Sequence, residues 1–357
     1  MTTVAEFAIK YTQYLDVHGH LHAAPASFSP EQLVPIYRGM VLTRAFDAKA
    51  VALQRTGQLR TYPSSLGQEA ITVGIGSVMR PDDVLLGTYR ETGAMLWRGV
   101  RMSDILLYWG GDERGSRYID GPQQDFPIAV PLASQCCHAV GVAAAFKYRK
   151  EDRAAVCVLG DGATSKGDFY ESINVAGAWQ LPVVFVVANN KWAISVPASK
   201  QTAAQTFAQK GIAAGLPCEQ VDGNDIVAVR DAVGRGLARA RAGQGATLIE
   251  CVSYRLTDHT TADDARRYRS AEEVSAAWTE EPVVRLKHYL VDQRLWSKAD
   301  EESLLEEVNQ RLSDAVKVYL ETPPQDPGDL FDYLYAELPV DLAEQRAAFM
   351  RAEVKHG

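Results

Sequence analysis

The segment from residue 154 to residue 187 constrains the fold of this chain more than any other part of it. Two short, continuous apolar runs, at 154–159 and 183–187, flank a helical stretch at 168–179. Such runs are typical of strands buried on both faces of a parallel sheet, and parallel strands need a crossover between them. The segment therefore predicts a βαβ unit within an α/β fold, a doubly wound parallel sheet covered by helices on both faces.

The rest of the chain extends this pattern. Further strands are predicted at 84–87 and 247–252, and helices at 29–54, 68–78, 134–147 and 226–242. We expect Pro35 to kink the first helix or to delay its start, and we expect the alanine-rich helix at 134–147 to be buried. Beyond Glu272 the chain is mostly helical, with apolar residues at helical spacing.

The chain shows no linker that would divide it into several domains. Residues 1–28 are predicted to form an N-terminal extension, and 29–357 a single α/β domain with a helical C-terminal part. Two long polar segments, at 110–131 and 257–270, interrupt this domain. Compact domains usually keep loops of this length for function.

Composition excludes several classes of partner and location. The net charge of −8 makes nucleic acid and anionic membranes poor partners. The five cysteines contain no C-x-x-C pair, so we expect buried thiols in a reducing compartment. The first thirty residues hold one lysine, no arginine and no long apolar stretch, which does not support a presequence. We therefore expect a cytoplasmic protein.

Gly160-Asp161-Gly162 follows the first strand of the βαβ unit directly. A bare Gly-Asp-Gly is usually only a tight turn. Here, however, it stands at the carboxyl end of a parallel strand, in a surface loop where open α/β sheets bind ligands. The glycines let the backbone approach a phosphate, and the helix that follows directs free N–H groups to the same place.

Asn190 supplies a second polar group at the same edge. It lies 29 residues after Asp161. A helix of about twelve residues is ~18 Å long and a strand of about six is ~20 Å long, so the chain returns to the edge where it left. Carboxylate and amide oxygens suit Mg²⁺, with phosphate oxygens completing its shell. A magnesium–nucleotide binding module is the alternative, but the chain lacks G-x-x-x-x-G-K-[ST].

At this spacing the two motifs resemble the diphosphate motif of thiamine-diphosphate enzymes. The full string GDGATSKGDFYESINVAGAWQLPVVFVVANNKWAIS is similar to the alpha subunit of the first component of 2-oxo acid dehydrogenases, and most similar to that of bacterial pyruvate dehydrogenases. Matching strings recur at 61–70, 88–93, 221–229 and 247–270. The resemblance covers about residues 30–350, nearly the whole chain.

The resemblance implies thiamine diphosphate and Mg²⁺ as cofactors. By motif, the side chains of Asp161 and Asn190 and the backbone carbonyl of Trp192 are expected to hold the metal. Tyr89 and Arg90 are expected to bind the diphosphate, which suits an arginine fork. Val130 and Leu132 are expected to meet the thiamine ring through their backbone, and the same cofactor is expected to be lined by Gly162, Ala163 and Ile194.

His259 is the histidine to which the resemblance assigns a role. It lies in the segment 257–270, which in the family folds over the diphosphate. It is expected to contact the phosphate and to act as a catalytic residue in proton transfer near the cofactor. Because this segment is polar throughout, we expect it to become ordered only when the cofactor binds.

The activity implied is oxidative decarboxylation of pyruvate, with transfer of the acetyl group to the lipoyl arm of an acyltransferase component. The chain shows only one of the two α/β domains that thiamine enzymes need. The implied partner is therefore a beta subunit, in an α2β2 heterotetramer. Branched-chain 2-oxo acid and acetoin remain alternative substrates.

Three departures from the family's pattern bear on substrate and control. Pro63 replaces a histidine of mammalian pyruvate dehydrogenases, and Thr260 replaces their regulated serine, which argues against kinase control. The stretch Gly111-Asp112-Glu113-Arg114 replaces a histidine pair of the Gram-positive enzymes. A substrate-side acid or base from that loop is therefore not expected.

Overall fold

The computed structural model describes residues 1–26, 28–332 and 334–356, with side chains up to Arg351. Six parallel strands form the main sheet in the order β1-β7-β8-β4-β3-β2. They are β1 (Lys10–Thr12), β2 (Val84–Leu86), β3 (Ala155–Gly160), β4 (Val183–Asn189), β7 (Cys218–Asp222) and β8 (Thr247–Val252). A short antiparallel hairpin pairs β5 (Trp192–Ala193) with β6 (Val196–Pro197).

Thirteen α-helices accompany the strands in the described residues. Those before β7 are α1 (Leu33–Arg55), α2 (Glu69–Val78), α3 (Thr92–Trp97), α4 (Met102–Gly110), α5 (Ser134–Arg149), α6 (Gly167–Ala178) and α7 (Ala198–Gln201). Those after it are α8 (Ile226–Arg241), α9 (Ala271–Trp278), α10 (Pro282–Asp292), α11 (Lys298–Glu321), α12 (Asp329–Asp332) and α13 (Val340–His356). Short 3₁₀ turns occur at Pro30–Gln32, Glu113–Ser116, Asp161–Ser165, Ala208–Ala214 and Ala265–Arg267.

Both faces of the sheet are covered, as the continuous apolar runs predict. Alternate residues of β3 point to opposite faces, because side chains alternate along a strand. Cys157 packs in the cluster that contains Phe169 of α6, on one face. Val156 and Val158 pack in the cluster that contains Val229 of α8, on the other. The doubly wound α/β fold is therefore confirmed.

One local prediction is confirmed and another needs correction. The late start expected for the first helix is observed: a 3₁₀ turn occupies Pro30–Gln32 and α1 begins at Leu33, so Pro35 lies in its first turn, where the missing N–H has no partner to lose. Helix α5 is not buried all round: Phe146 is buried, whereas Cys137 and Tyr148 on its other side are exposed. Its alanines therefore mark close packing on one face only. Because Cys137 is exposed, the expectation that the cysteines are buried thiols is wrong for that residue.

Two strands of the main sheet, β1 and β7, escaped sequence analysis, as did the short β5–β6 hairpin. β1 pairs in parallel with β7 at the edge of the sheet, although its residues lie within the predicted extension. The carboxylate of Asp225 accepts hydrogen bonds from the backbone N–H groups of Tyr14 (2.6 Å) and Leu15 (2.8 Å), which holds the segment in place. Runs this short carry no readable periodicity, so only pairing across the sheet identifies them as strands.

The described chain divides into two compact units, residues 1–316 and 317–357. The first contains the whole sheet, and the second is helical where it is described. The boundary between extension and domain at residue 28 stays a prediction. Among the described residues, no helix has both the length and the apolar character needed to cross a membrane.

Candidate active site

Four neighbouring strands end at one edge of the sheet, and each is followed by polar residues. In the register of β3 and β4, Gly160 lies opposite Ala188, so Asp161 and Asn190 leave adjacent strands at the same level. Tyr89 and Arg90 follow β2, and His259 follows β8. Parallel strands share the direction of their carboxyl ends, so the topology brings these residues to one edge. For Asp161 and Asn190 this is the result that the length argument predicted.

These residues line one cavity of about 420 Å³, a volume within the usual range of small-molecule sites. Its walls include every residue that the sequence singled out: Tyr89, Arg90, Val130, Leu132, Asp161, Gly162, Ala163, Asn190, Trp192, Ile194 and His259. The structure thus brings the whole predicted set together. Their individual roles stay predictions.

The turn motif suggested that Asp161 lies in a surface loop, and the structure shows that this expectation is wrong. It is only 2% exposed, and burial raises the pKa of its carboxyl. The reason is close packing: a Cβ on Gly162 would lie 2.6 Å from the Cβ of Ala193 in β5. Only glycine lets the turn pass under the β5–β6 hairpin, which covers it.

Two buried guanidinium groups give the cavity its charge. Arg90 is 5% exposed and donates to the backbone oxygens of Ser64 and His259, the latter at 2.6 Å. Arg255 is 1% exposed and donates to the carbonyl of Ile194 (2.8 Å). Within the described residues neither has a carboxylate ion-pair partner, and burial lowers the pKa of both. Buried cations without a carboxylate at ion-pair distance favour an anion, so the site fits a diphosphate.

His259 lies between these two arginines. Its Nδ1 is 2.9 Å from the Arg90 guanidinium and 3.3 Å from that of Arg255. Guanidinium nitrogens can only donate, so Nδ1 must be the acceptor and the proton belongs on Nε2. Burial and the two cations lower the pKa of His259 to about 4. At neutral pH this histidine is therefore a neutral hydrogen-bond donor.

This shifted pKa predicts a pH dependence of stability. Between pH 6.5 and about 4 the unfolded chain binds a proton on His259 that the folded chain does not. The corresponding stability is complete above pH 6.5 and is lost as the pH falls towards 4. We expect the free energy of unfolding, measured by denaturant titration without cofactor, to fall more steeply over this window in wild type than in His259→Gln. Parallel curves for the two proteins would contradict the assignment.

The predicted metal ligands have partners within the protein. The side-chain oxygen of Asn190 accepts a hydrogen bond from the backbone N–H of Trp192 at 3.2 Å. The carbonyl of Trp192 accepts a long one from Arg255 (3.4 Å). Over the described part of the chain, no group of three or more His, Cys, Asp or Glu could hold a metal. The predicted set has one carboxylate, one amide and one carbonyl, so its fit rests on hard oxygen donors.

Strain marks the far wall of the cavity. Ile194 has a φ of +54°, a conformation that is costly for a β-branched residue. The hydrogen bond from Arg255 to its carbonyl holds it there. Ile194 and Val130 are each 52% exposed and Leu132 is 41% exposed, so one rim of the cavity is apolar and open.

Sequence reasoning missed several residues of this site. Arg255 lies only four positions before His259, a spacing that could have drawn attention to it. Glu91 accepts hydrogen bonds from the backbone N–H groups of Thr88 (2.6 Å) and Arg90 (3.3 Å) and so shapes the turn that carries Tyr89. Gln68 also lines the cavity and is buried. No local motif distinguishes these two from ordinary polar residues.

Comparison with known proteins agrees with this fold. The family described as "Dehydrogenase E1 component" matches residues 37–327. The 3-methyl-2-oxobutanoate dehydrogenase subunit alpha of Mycobacterium tuberculosis is 44% identical over 327 residues, which cover 91% of this chain and 88% of that protein.

Two relatives carry a different name. The pyruvate dehydrogenase E1 component subunit alpha of Acholeplasma laidlawii is 39% identical, over 88% of this chain and 92% of that protein. Its namesake from Staphylococcus aureus is 37% identical, over 96% of this chain and 93% of that protein. By its matched residues, its parallel fold and its relatives, the chain belongs to the dehydrogenase E1 component family, as an alpha subunit of a 2-oxo acid dehydrogenase.

Proposed function

We propose that this alpha subunit binds thiamine diphosphate with Mg²⁺ and works in the oxidative decarboxylation of pyruvate, whose acetyl group passes to a lipoyl arm. The observation that carries the proposal is the pair of buried guanidinium groups, Arg90 and Arg255, without carboxylate partners in the described chain. Arg90 lines the cavity where Asp161 and Asn190 leave the sheet, and Arg255 lies behind its wall, in contact with His259 and Ile194. Family membership implies thiamine diphosphate, and the hard oxygen donors of the site suit Mg²⁺.

Different residues of the chain bind the diphosphate, the cation and the thiamine ring. Arg90 and Tyr89 hold the diphosphate from one side, and Asp161, Asn190 and the Trp192 carbonyl hold the cation. Val130 and Leu132 support the thiamine ring through their backbone. When bound, thiamine diphosphate supplies the nucleophilic carbon and the electron sink that decarboxylation of a 2-oxo acid requires.

His259 completes the phosphate side. A neutral imidazole with its proton on Nε2 can donate to a phosphate oxygen without a desolvated charge. A bound anion raises the pKa of a nearby histidine, which prepares His259 to hold or pass a proton beside the cofactor. Its edge-to-face contact with Tyr89, with ring centroids 6.2 Å apart, keeps the ring in place.

The segment 257–270 acts as a cover for the diphosphate in this proposal. Polar contacts hold it: Asp263 accepts from the backbone N–H of His259, and Asp258 from that of Ala265, each at 2.8 Å. A segment that depends on such contacts and buries little apolar area opens easily. Charge-assisted hydrogen bonds from His259 to phosphate would add to them.

Limited proteolysis tests this cover. Trypsin cleaves after arginine, and Arg266 and Arg267 are exposed, the Arg266 side chain by 90%. We expect fast cleavage at this pair without ligand and slow cleavage with thiamine diphosphate and Mg²⁺. Cleavage after Lys298, whose side chain is 91% exposed and which does not line the cavity, provides the internal control. Equal rates at Arg266-Arg267 in both states would refute the covering role.

More than one substrate assignment is compatible with the same site. Pyruvate agrees with the two relatives named pyruvate dehydrogenase, and a branched-chain 2-oxo acid agrees with the relative at 44% identity. Acetoin is a third candidate. One methylene in an apolar pocket changes selectivity about 10–200-fold, so kinetics can separate the acids.

The decisive experiment measures kcat/KM for pyruvate and for 3-methyl-2-oxobutanoate with the chain purified together with its beta subunit. We expect pyruvate to be preferred by at least about tenfold. A preference for the branched acid would transfer the proposal to the alternative. Calorimetry with ATP in place of thiamine diphosphate tests the alternative of a nucleotide-binding module. Binding of ATP but not of thiamine diphosphate would support that alternative.

A further inference from the structure

The carboxylate of Asp161 has a side-chain partner outside the set of residues discussed so far. Gln201, the last residue of α7, donates from Nε2 to Oδ2 of Asp161 at 2.7 Å. The same nitrogen lies 3.4 Å from the carbonyl oxygen of Val196. The glutamine therefore ties the turn after β3 to the β5–β6 hairpin.

The amide of Gln201 has only one favourable orientation. Its two N–H groups have two acceptors, the Asp161 carboxylate and the Val196 carbonyl. Its Oε1 is buried and has no hydrogen-bond partner in the described part of the chain. Turning the amide over would place this oxygen against a carboxylate and a carbonyl, neither of which can donate. The donor is thus fixed towards Asp161, at the cost of an unsatisfied oxygen.

The backbone around Gln201 is fixed as well. The backbone N–H of Ala198, the first residue of α7, donates to the carbonyl of Lys191 at 2.8 Å. A Cβ on Gly162 would lie 3.8 Å from Oε1 of Gln201, in ordinary van der Waals contact. Helix α7 therefore carries its last side chain directly against the turn Asp161–Ser165.

We propose that Gln201 is a positioning residue for the metal–diphosphate site. By holding one oxygen of the Asp161 carboxylate, it prevents rotation of the group and presents the carboxylate to the cation in a single orientation. This inference rests on the proposed role of Asp161 as a metal ligand. Partners that orient a metal ligand in this way typically contribute 10–100-fold in metal affinity.

Two other roles for Gln201 make different predictions. If Gln201 merely occupied an oxygen that the cation needs, its removal would strengthen metal binding. If it served only to pack the hairpin, its removal would lower thermal stability and leave metal affinity unchanged. Metal affinity and melting temperature therefore separate the three roles.

The test uses the full chain purified with its beta subunit and the variant Gln201→Met, which keeps the length of the side chain and removes both donors. Titration calorimetry measures the Mg²⁺ dissociation constant at a fixed concentration of thiamine diphosphate, and calorimetric scanning measures the melting temperature without ligands. Gln205→Met, at an exposed glutamine of the same segment, is the matched control. Gln201→Asn, which retains the amide but is too short to reach Asp161, is the second variant.

We expect both Gln201 variants to weaken Mg²⁺ binding by about 10–100-fold, with melting temperatures close to that of wild type and the control unchanged. Unchanged or tighter Mg²⁺ binding in these variants would overturn the proposal. Asp161→Ala, measured in parallel, distinguishes the failures. Normal Mg²⁺ binding in that variant would refute the metal site itself, whereas its loss there together with normal binding in Gln201→Met would refute only the role of Gln201.

Discussion

We expect that replacing Asp161 with alanine abolishes Mg²⁺-dependent binding of thiamine diphosphate while the protein stays folded. The carboxylate is the one anionic group of the predicted ligand set, and its removal leaves two neutral oxygens to hold a divalent cation. We expect affinity for the cofactor to fall by at least about 100-fold, which corresponds to about 2.8 kcal/mol. Calorimetry of cofactor binding in the presence of Mg²⁺ measures this loss.

The fold should survive this substitution for a physical reason. Burial raises the pKa of Asp161, which means that the protein holds the charged carboxylate against a desolvation cost. Removing it relieves that cost, so circular dichroism and the melting temperature should change little. Asp168→Ala, at a carboxylate in α6 that is 44% exposed and does not line the cavity, is the control and should bind the cofactor normally. Wild-type affinity in Asp161→Ala would end the metal assignment.

We expect the isolated chain to show no decarboxylation, even with thiamine diphosphate and Mg²⁺, and to gain it when a beta subunit is added. The described residues contain one six-stranded sheet and one short hairpin. Thiamine enzymes also need a second α/β domain that binds the pyrimidine and provides an activating glutamate, as the family resemblance implies. Initial rates of carbon dioxide release with and without the beta subunit measure the difference.

The apolar rim of the cavity supports this dependence on a partner. Val130, Leu132 and Ile194 are each at least 41% exposed beside the candidate site. Exposed apolar side chains around a binding site usually mark an interface. Replacing these residues with aspartate should weaken assembly with the beta subunit, and sedimentation measures this assembly. Robust turnover by the isolated chain would mean that a second catalytic domain had been missed.

The central βαβ unit shows why part of this structure could be predicted. The apolar runs of β3 and β4 are buried on both faces, so their composition alone separates them from amphipathic strands and loops. The helix between them has a length that matches the return strand, which brings Asp161 and Asn190 to one edge. Local pattern and tertiary structure agree here because every residue of these strands except Gly160 is buried.

Other elements had no such pattern. β1 has three residues and β7 has five, with mixed burial, so neither differs in sequence from a loop. Arg255 and Gln201 act through partners 61 and 40 positions away in the chain. A side chain's function at such separations depends on which strands are neighbours, and that order is a property of the packed sheet.

The sequence by itself determined the parallel doubly wound sheet and the edge at which the candidate site lies, because hydrophobic period and chain length act locally, and the family resemblance named some of the residues that line it. Only the tertiary structure decided the chemical state of those residues. Burial between Arg90 and Arg255 makes His259 a neutral donor with a pKa of about 4, and close packing under the hairpin puts Asp161 out of water. Desolvation and charge depend on everything that surrounds a group, and residues distant in sequence supply most of those surroundings.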